Sequence, residues 1–583
     1  MNSDRFRFGI AASAAGWLAI LPARSQDAPK QTAPDKTPAP TAPEPKKAPE
    51  LPKQGESQNK PPVSPPPPAT KPEPGPYAID AIGLPGNLSG RVAAIDFAPD
   101  GAWMLLDAEG QIQIRRSDSQ WGVVSETHFE GASGLDASYW PHSLFVTHST
   151  GVSRLFDTDN DARVDFVKAV APVWRFGTIG VLFSGSVGLS PSGELLAAPR
   201  VLEGPWAGTI LRIPESGLPS AWVAGHRRIT TPVPGPSETW IVAGIRAAQK
   251  PPQKKDAPTP SPAVDFCAIS VVVAPAPVAP EAQPDLPAKD EAASAEEPRK
   301  KKDTPKKDEP APSLPADPIS PPVAIRVPGA LMDGVPIAPA YPSEATDEPF
   351  GPFSGQGFLA GETSSRLLRF WLEEVEGTWQ GGVTDFASIN SPTPGLSFLR
   401  YTPASDELLG GQSGQLFGIR PAGGKLFAVQ RVSLASDGFE IAFTEPVNRE
   451  KAADLASWKL GEIPVDGEES AETAVTLPAE QVKVIISADG DVVTLQSRIF
   501  QPGRLYRFDL SSLPAASGAK ISHGPVWYTV NRMPTPPPMP QPSTTETEPP
   551  KEKTGATQPN PQEGAKSAEP SDPGPSPEAP KAE

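Results

Sequence analysis

The sequence predicts an all-β protein. Residues 77–427 read as a six-bladed β-propeller, residues 428–533 as an immunoglobulin-like β-sandwich, and three long Pro-rich segments as disordered. Three observations predict this. No long window places apolar residues at i, i+3, i+4 and i+7, so helical periodicity is missing. A turn-and-strand pattern recurs six times, and without the Pro-rich insert each unit has about 45 residues, the size of a four-stranded blade. Proline is bunched: of 79 in 583 residues, residues 26–76 hold 17, residues 251–322 hold 18 and residues 534–583 hold 15.

Residues 1–25 have the form of a secretory signal peptide. Arg5 and Arg7 give a basic start, Phe8 to Leu21 an apolar run, and Ala23-Arg24-Ser25 the small residues a signal peptidase reads. The run is short for a spanning helix. The mature chain is therefore expected outside the cytoplasm, periplasmic or extracellular, with no membrane span. Residues 26–76 mix Pro, Lys, Ala and Glu. Such a segment lacks the apolar surface to offset a backbone ordering cost of roughly 1–2 kcal/mol per residue. The tail 534–583 is alike. Two further segments, 248–262 and 275–321, interrupt the propeller on either side of an apolar stretch, Ala263 to Ala274, that reads as a buried strand. Lys300 to Lys302, Lys306 and Lys307 are interleaved with acids, the pattern of a solvated loop.

The propeller units come in order. Four have a Pro-containing turn between apolar strands: Phe97 to Leu105, Leu189 to Leu196, Val233 to Ile241, and Tyr401 to Leu409. Pro fixes φ, and the Gly, Ser or Asp that follows tolerates the turn. Two are less regular: Ser143 to Val146 before Gly151 to Leu155, and Gly357 to Ala360 before Arg366 to Trp371. In the last region Val429 to Leu434, Phe439 to Phe443, Val482 to Ile486, Val492 to Leu495 and Leu505 to Phe508 alternate at period 2. Asp437-Gly438 and Asp489-Gly490 are hairpin signals, about seven short strands suit a sandwich, and Asn448 to Leu455 is the one short helical candidate.

Charge and cysteine exclude several classes. The net charge is −17 with no basic stripe, which argues against a nucleic-acid partner. Cys267 is the single cysteine. One cysteine makes no internal disulfide, no Cys-based zinc site and no CxxCH haem attachment. No phosphate loop, HExxH or GxSxG element is present.

Several stretches together carry a resemblance. They are Arg154 to Asp165 (an Asp-Thr-Asp-Gly-Asp-Gly-x-x-Asp-like loop), Phe350 to Gln356, Leu372 to Gly381, Gly438 to Val447, and Tyr528 to Pro534. The chain resembles the planctomycete-type membrane-bound dehydrogenase-like proteins, whose propeller is similar to glucose and sorbosone dehydrogenases. The resemblance implies a quinone-dependent oxidation of a sugar or alcohol, in which His is the general base and Arg contacts the cofactor. The departures are specific. The stretch matching the base, Gly185 to Gly193, has no His. Ala224 to Arg228 matches the cofactor element, keeping Arg227 but with Arg228 for the Asn. No haem segment follows. A missing base removes a factor of about 10²–10⁴ in rate.

The residues themselves offer four candidate groups. Asp157, Asp159, Asp161 and Asp165 are spaced to converge on a hard cation such as calcium. Ala162 stands in place of the Gly of such loops and Lys168 in place of the bidentate acid; the alternative is an acidic turn held by Asx hydrogen bonds. His142, His148 and His226 match no metal-ligand spacing, but His226 beside Arg227 would be the base and cofactor contact of a surviving dehydrogenase. Glu373, Glu374 and Glu376 read as a solvated strand face rather than a glycosidase pair. Gln356, Trp379 and Gln380, near Gly-rich turns, either touch a ligand at the channel or shape the turn.

The leading expectation is an exported, non-haem propeller-plus-sandwich protein that acts by binding, its partner a carbohydrate or a cell-envelope protein. The alternatives are an active quinone-dependent dehydrogenase feeding a separate cytochrome, and a passive envelope spacer.

Overall fold

Six antiparallel sheets follow one another along the chain, each spanning one of the six recurrences. The structure, a computed structural model, describes residues 76–536 except 87, 89–90, 117–119, 171–182, 184–186, 191, 202, 205, 215–218, 248–264, 274–316, 333, 343–349, 390–394, 413, 468 and 470–471. The expected signal peptide, the linker up to 75, the first insert, most of the second and the tail from 537 lie outside the described residues.

Sheet 1 is an up-and-down run of Val92–Phe97, Trp103–Asp107, Ile112–Arg115 and Trp121–Ser125. Sheet 2 repeats the order with Gly134–Asp136, Ser143–His148, Gly151–Phe156 and Phe166–Val170. Sheet 3 does so with Gly188–Leu189, Leu195–Ala197, Ile210–Ile213 and Ser220–Val223. In sheet 4 the first strand is broken into Arg228–Ile229 and Val233–Pro234, both against Thr239–Arg246; Phe266–Val273 and Ile325–Val327 follow. Both inserts thus leave from connections within sheet 4. The second ends earlier than its composition suggests. Ile319 pairs in parallel with Val223, its N–H donating to Trp222 O and its carbonyl accepting from Ala224 N, so residues near 319 cover the edge of sheet 3.

Sheet 5 begins with Gly357–Ala360, Arg366–Val375 and Thr378–Ser388; Ala340 bridges onto Phe358 of its first strand and Pro336 onto Gly361 just after it. Sheet 6 holds Phe398–Tyr401, Leu408–Gln412 and Gln415–Pro421, and its fourth strand is Tyr77–Ile82, from the start of the described chain. Apolar clusters join each sheet to the next. Met104 and Leu106 meet Leu144 and Leu155; Phe145 meets Leu195; Leu196 meets Trp240; Ile269 meets Phe370; Phe358 meets Leu399. Sheet 6 then packs on sheet 1, through Leu409 and Leu416 against Val92 and Leu105.

The C-terminal region has two sheets. Val429–Ala435, Gly438–Phe443, Val492–Gln496 and Lys483–Ile486 form sheet 7. The expected hairpins at Asp437-Gly438 and Asp489-Gly490 join neighbouring strands there. The short helix Arg449–Ala453 is capped by Asn448, whose side chain accepts from Lys451 N at 3.0 Å. The facing strands are Val526–Val530, Arg504–Asp509, Lys459–Pro464 and Thr473–Val475. They do not make a separate sheet. Val526–Val530 pairs with Thr378–Ser388, so sheet 5 continues across the expected domain boundary as one seven-stranded sheet. Gly382 permits this: a Cβ there would stand 2.2 Å from the Trp371 ring, and that ring is buried in the C-terminal core with Nε1 donating to Val432 O at 2.7 Å.

Candidate functional site

The first strands of the sheets bring charges together that the local sequence keeps apart. Asp96, Asp136 and Arg400 each stand in an otherwise uncharged first strand, of sheets 1, 2 and 6. Asp96 is buried and lies 2.6 Å from the Arg400 guanidinium. Its other oxygen accepts from Ala137 N at 2.8 Å, tying sheet 1 to the turn after Asp136. Asp136 is also buried, and one of its oxygens accepts from Ser138 N at 3.0 Å. Burial first, and then the neighbouring Asp96, raise its carboxyl to about 6; the Ser138 hydrogen bonds and Arg400 only partly oppose this.

Asp136, Ser138, Arg400 and Thr231 border a cavity of about 120 Å³, with Trp240 and Phe398 as its apolar walls. Residues from sheets 2, 3, 4 and 6 line it. A few convergent polar groups over an apolar floor, with a perturbed carboxyl, is the usual composition of a ligand site. Its size suits a small polar ligand and falls short of the roughly 300 Å³ at which ordinary organic-cofactor pockets begin.

Sequence reasoning missed this trio, yet a signal was present. Asp96 and Arg400 occupy the same place in their units, three residues before the turn prolines Pro99 and Pro403. A charge in an apolar strand at a repeated position is a reason to look there.

The residues singled out from the resemblance are placed differently. His226 is buried at the end of sheet 4 remote from the 235–238 turn, and its ring nitrogens have no hydrogen-bond partner among the described residues. Burial and then Arg246 push its pKa down to about 3, so it stays neutral. Arg227 is largely exposed and pairs with Asp265 at 2.6 Å. Neither borders the cavity. Cys267 is buried in sheet 4, and burial pushes its thiol up.

Of the two readings of Gln356 and Gln380, ligand contact or turn-shaper, the hydrogen bonds place both side chains in joints between strands. Gln356 is buried; its amide donates to Gln430 O at 2.9 Å and accepts from Arg369. Gln380 is fully buried; its Oε1 accepts from Asn531 N and Arg532 N, both at 3.0 Å. Its Nε2 donates to Glu373 and to Tyr528. The backbone carbonyl of Trp379 accepts from Asn531 Nδ2 at 2.9 Å. All three residues hold sheet 5 to the C-terminal region. Glu373 is drawn into the same joint, accepting from Tyr528 and from Leu434 N, and burial raises its carboxyl. Glu376 instead pairs with Arg532 at 2.6 Å on the surface.

In the acidic loop, carboxylate oxygens of Asp157, Asp159 and Asp165 lie within 4.8 Å of one another. Asp161 stays outside this group and accepts from Arg163 N at 2.8 Å. Ala162 takes the turn that a Gly was expected to need, at φ +67°, and donates its N–H to Asp157 Oδ2 at 2.9 Å.

No known family profile matches this sequence, and no curated protein does. Among solved structures, the chain is similar to the soluble aldose sugar dehydrogenase of Escherichia coli in its apo form, at 12% identity over 59% of this chain and 99% of that one, with a TM-score of 0.37. It is also similar to the PQQ domain of pyranose dehydrogenase from Coprinopsis cinerea, at 11% identity over 60% and 98%, with a TM-score of 0.35. The β-propeller domain of Cps50 (Swd1) from Myceliophteria thermophila gives 12% identity over 59% and 99%, with a TM-score of 0.32.

Proposed function

We propose that this chain is an exported binding protein. In this reading sheets 1 to 6 are the six blades of a β-propeller closed by Tyr77–Ile82, and an immunoglobulin-like sandwich is fused to the fifth blade. The ligand is a carbohydrate unit held in the channel cavity. Asp136 and Arg400 supply directional hydrogen bonds to hydroxyls, Asp96 holds Arg400 in place, and Trp240 and Phe398 supply the apolar face. One observation carries the reading: Arg400 and buried Asp136, from two different sheets, border one cavity, and Arg400 is ion-paired to buried Asp96 of a third. Binding is favoured over sugar oxidation because His226 and Arg227 stand away from the cavity and the matching Gly185 to Gly193 stretch lacks a base.

Calorimetric titration with a panel of mono- and oligosaccharides tests it. At least one sugar is expected to bind, and Arg400→Ala to weaken it tenfold or more, the loss of a charge-assisted contact of about 1.5–3 kcal/mol. The Arg400→Ala protein should keep its far-ultraviolet spectrum. Oxidation of aldoses by the purified protein, given a quinone and an artificial electron acceptor, would overturn the reading in favour of a dehydrogenase.

A further inference from the structure

The acidic loop between strands Gly151–Phe156 and Phe166–Val170 holds an unexplained buried charge. Hydrogen bonds within the loop account for one oxygen of each carboxylate. Asp161 N donates to Asp159, Arg163 N to Asp161, Ala162 N to Asp157 Oδ2, and Thr158 N and Oγ1 to Asp165 Oδ2. The remaining oxygen of Asp157 has no such explanation. The residue is 3% exposed, and Oδ1 is buried with no hydrogen-bond partner among the described residues. An acidic turn alone would leave this oxygen desolvated beside two more carboxylates, an arrangement that repels and is costly without a counter-charge.

A cation resolves it. We propose that Asp157, Asp159 and Asp165 bind one Ca²⁺ ion, which fastens sheet 2 to sheet 1. The donors are all oxygen, which suits a hard cation, and Asp159 and Asp165 are exposed, so an ion enters from solvent and keeps water ligands. The fastening follows from the loop's other contacts. Val164 N donates to Val124 O of sheet 1 at 2.9 Å, and Val164 and Ala162 pack on the core shared by sheets 1 and 2. On the other side Asp157 N donates to His142 O in sheet 2's own first turn. An ion at the three carboxylates fixes the loop on which both sets of contacts depend.

The test titrates CaCl₂ into the chelator-stripped full chain. A single-site isotherm is expected, with a Kd of about 10⁻⁴–10⁻³ M, the range of extracellular calcium modules with few protein ligands. At saturating calcium the melting temperature should rise by about 2–4 °C. Asp159→Asn and Asp165→Asn, both at exposed positions, should each weaken binding tenfold or more. Asp161→Asn should stay within about threefold of the parent, since its carboxylate lies outside the group. The proposal fails if the folded parent gives neither heat nor a melting shift up to about 10 mM calcium. It fails equally if Asp159→Asn and Asp165→Asn respond as the parent does, or if Mg²⁺ matches Ca²⁺ in affinity, the behaviour of a diffuse acidic patch.

Discussion

Asp136 ends a three-residue strand, and nothing in Gly134-Leu-Asp marks it as unusual. Its chemistry comes from burial beside Asp96, which lifts the carboxyl to about 6. The sign of its effect on stability follows. The folded state holds the proton more tightly than the unfolded chain, so Asp136 contributes most below about pH 4, and that contribution is lost as pH rises through about 6. Asp136→Asn should remove this limb. Relative to the parent it should gain on the order of 2–3 kcal/mol at pH 7–8 compared with pH 4, read from denaturant unfolding at several pH values. His226 works in the opposite sense. Its folded pKa is depressed to about 3, so its contribution is present above about 6.5 and is lost as pH falls. At Ala162 the strain is in the backbone, since an L-residue at φ +67° costs about 1–2 kcal/mol. Ala162→Gly should therefore stabilise by about 0.5–1 kcal/mol after the entropy of the freer unfolded chain is counted, measured as a shift of the urea midpoint.

At the scale of elements, the decisive feature is the pairing of Thr378–Ser388 with Val526–Val530. Gln380 sits on this seam, and its amide satisfies Asn531 N and Arg532 N while donating to Glu373 and Tyr528. Arg369 is buried on the same side, donating to Gln356, Gln430 O and Val429 O, with its guanidinium 3.8 Å from the Phe353 ring centre. Arg326 does the same from sheet 4, donating to the carbonyls of Pro464, Val465 and Gly467. Gln380→Ala should cost about 2–4 kcal/mol, because two backbone donors lose their acceptor while Glu373 and Tyr528 lose a donor at the same fully buried side chain. Unfolding monitored separately in the two regions should still be one transition, since the seam is a continuous sheet. The strands and hairpins of the C-terminal region were legible from period-2 alternation and Asp-Gly turns. The seam was not, because the partners are about 150 residues apart and hydrogen-bond through backbone, which leaves no mark on side-chain pattern. The glutamines did leave a mark, but not its meaning: Gln and Gly together signal close backbone approach, whether to a ligand or to another strand.

For the whole molecule, closure depends on residues 77–82 finding the strand at 415–421. Tyr77 anchors the returning strand, its hydroxyl donating to Phe350 O at 3.1 Å and its ring stacking on Phe350 and Phe353. A chain beginning at residue 84 should lose the outer strand of sheet 6 and bare the edge of Gln415–Pro421. It should melt about 10 °C lower or aggregate, judged by calorimetry and size-exclusion chromatography. An unchanged melting temperature would sink the idea that this strand closes the ring of sheets.

The sequence by itself determined the all-β class, the six recurring hairpins, the C-terminal strands and the capped helix at Asn448. Each depends on residues close in the chain, where periodicity and turn chemistry act. Only the tertiary structure decided which strand completes sheet 6, that sheet 5 runs through into the C-terminal region, and that Asp136 and Arg400, the latter paired with Asp96, border one cavity. Those outcomes are set by backbone pairing and burial between distant segments. Such contacts are selected by the packing of whole sheets, and no local run of residues encodes them.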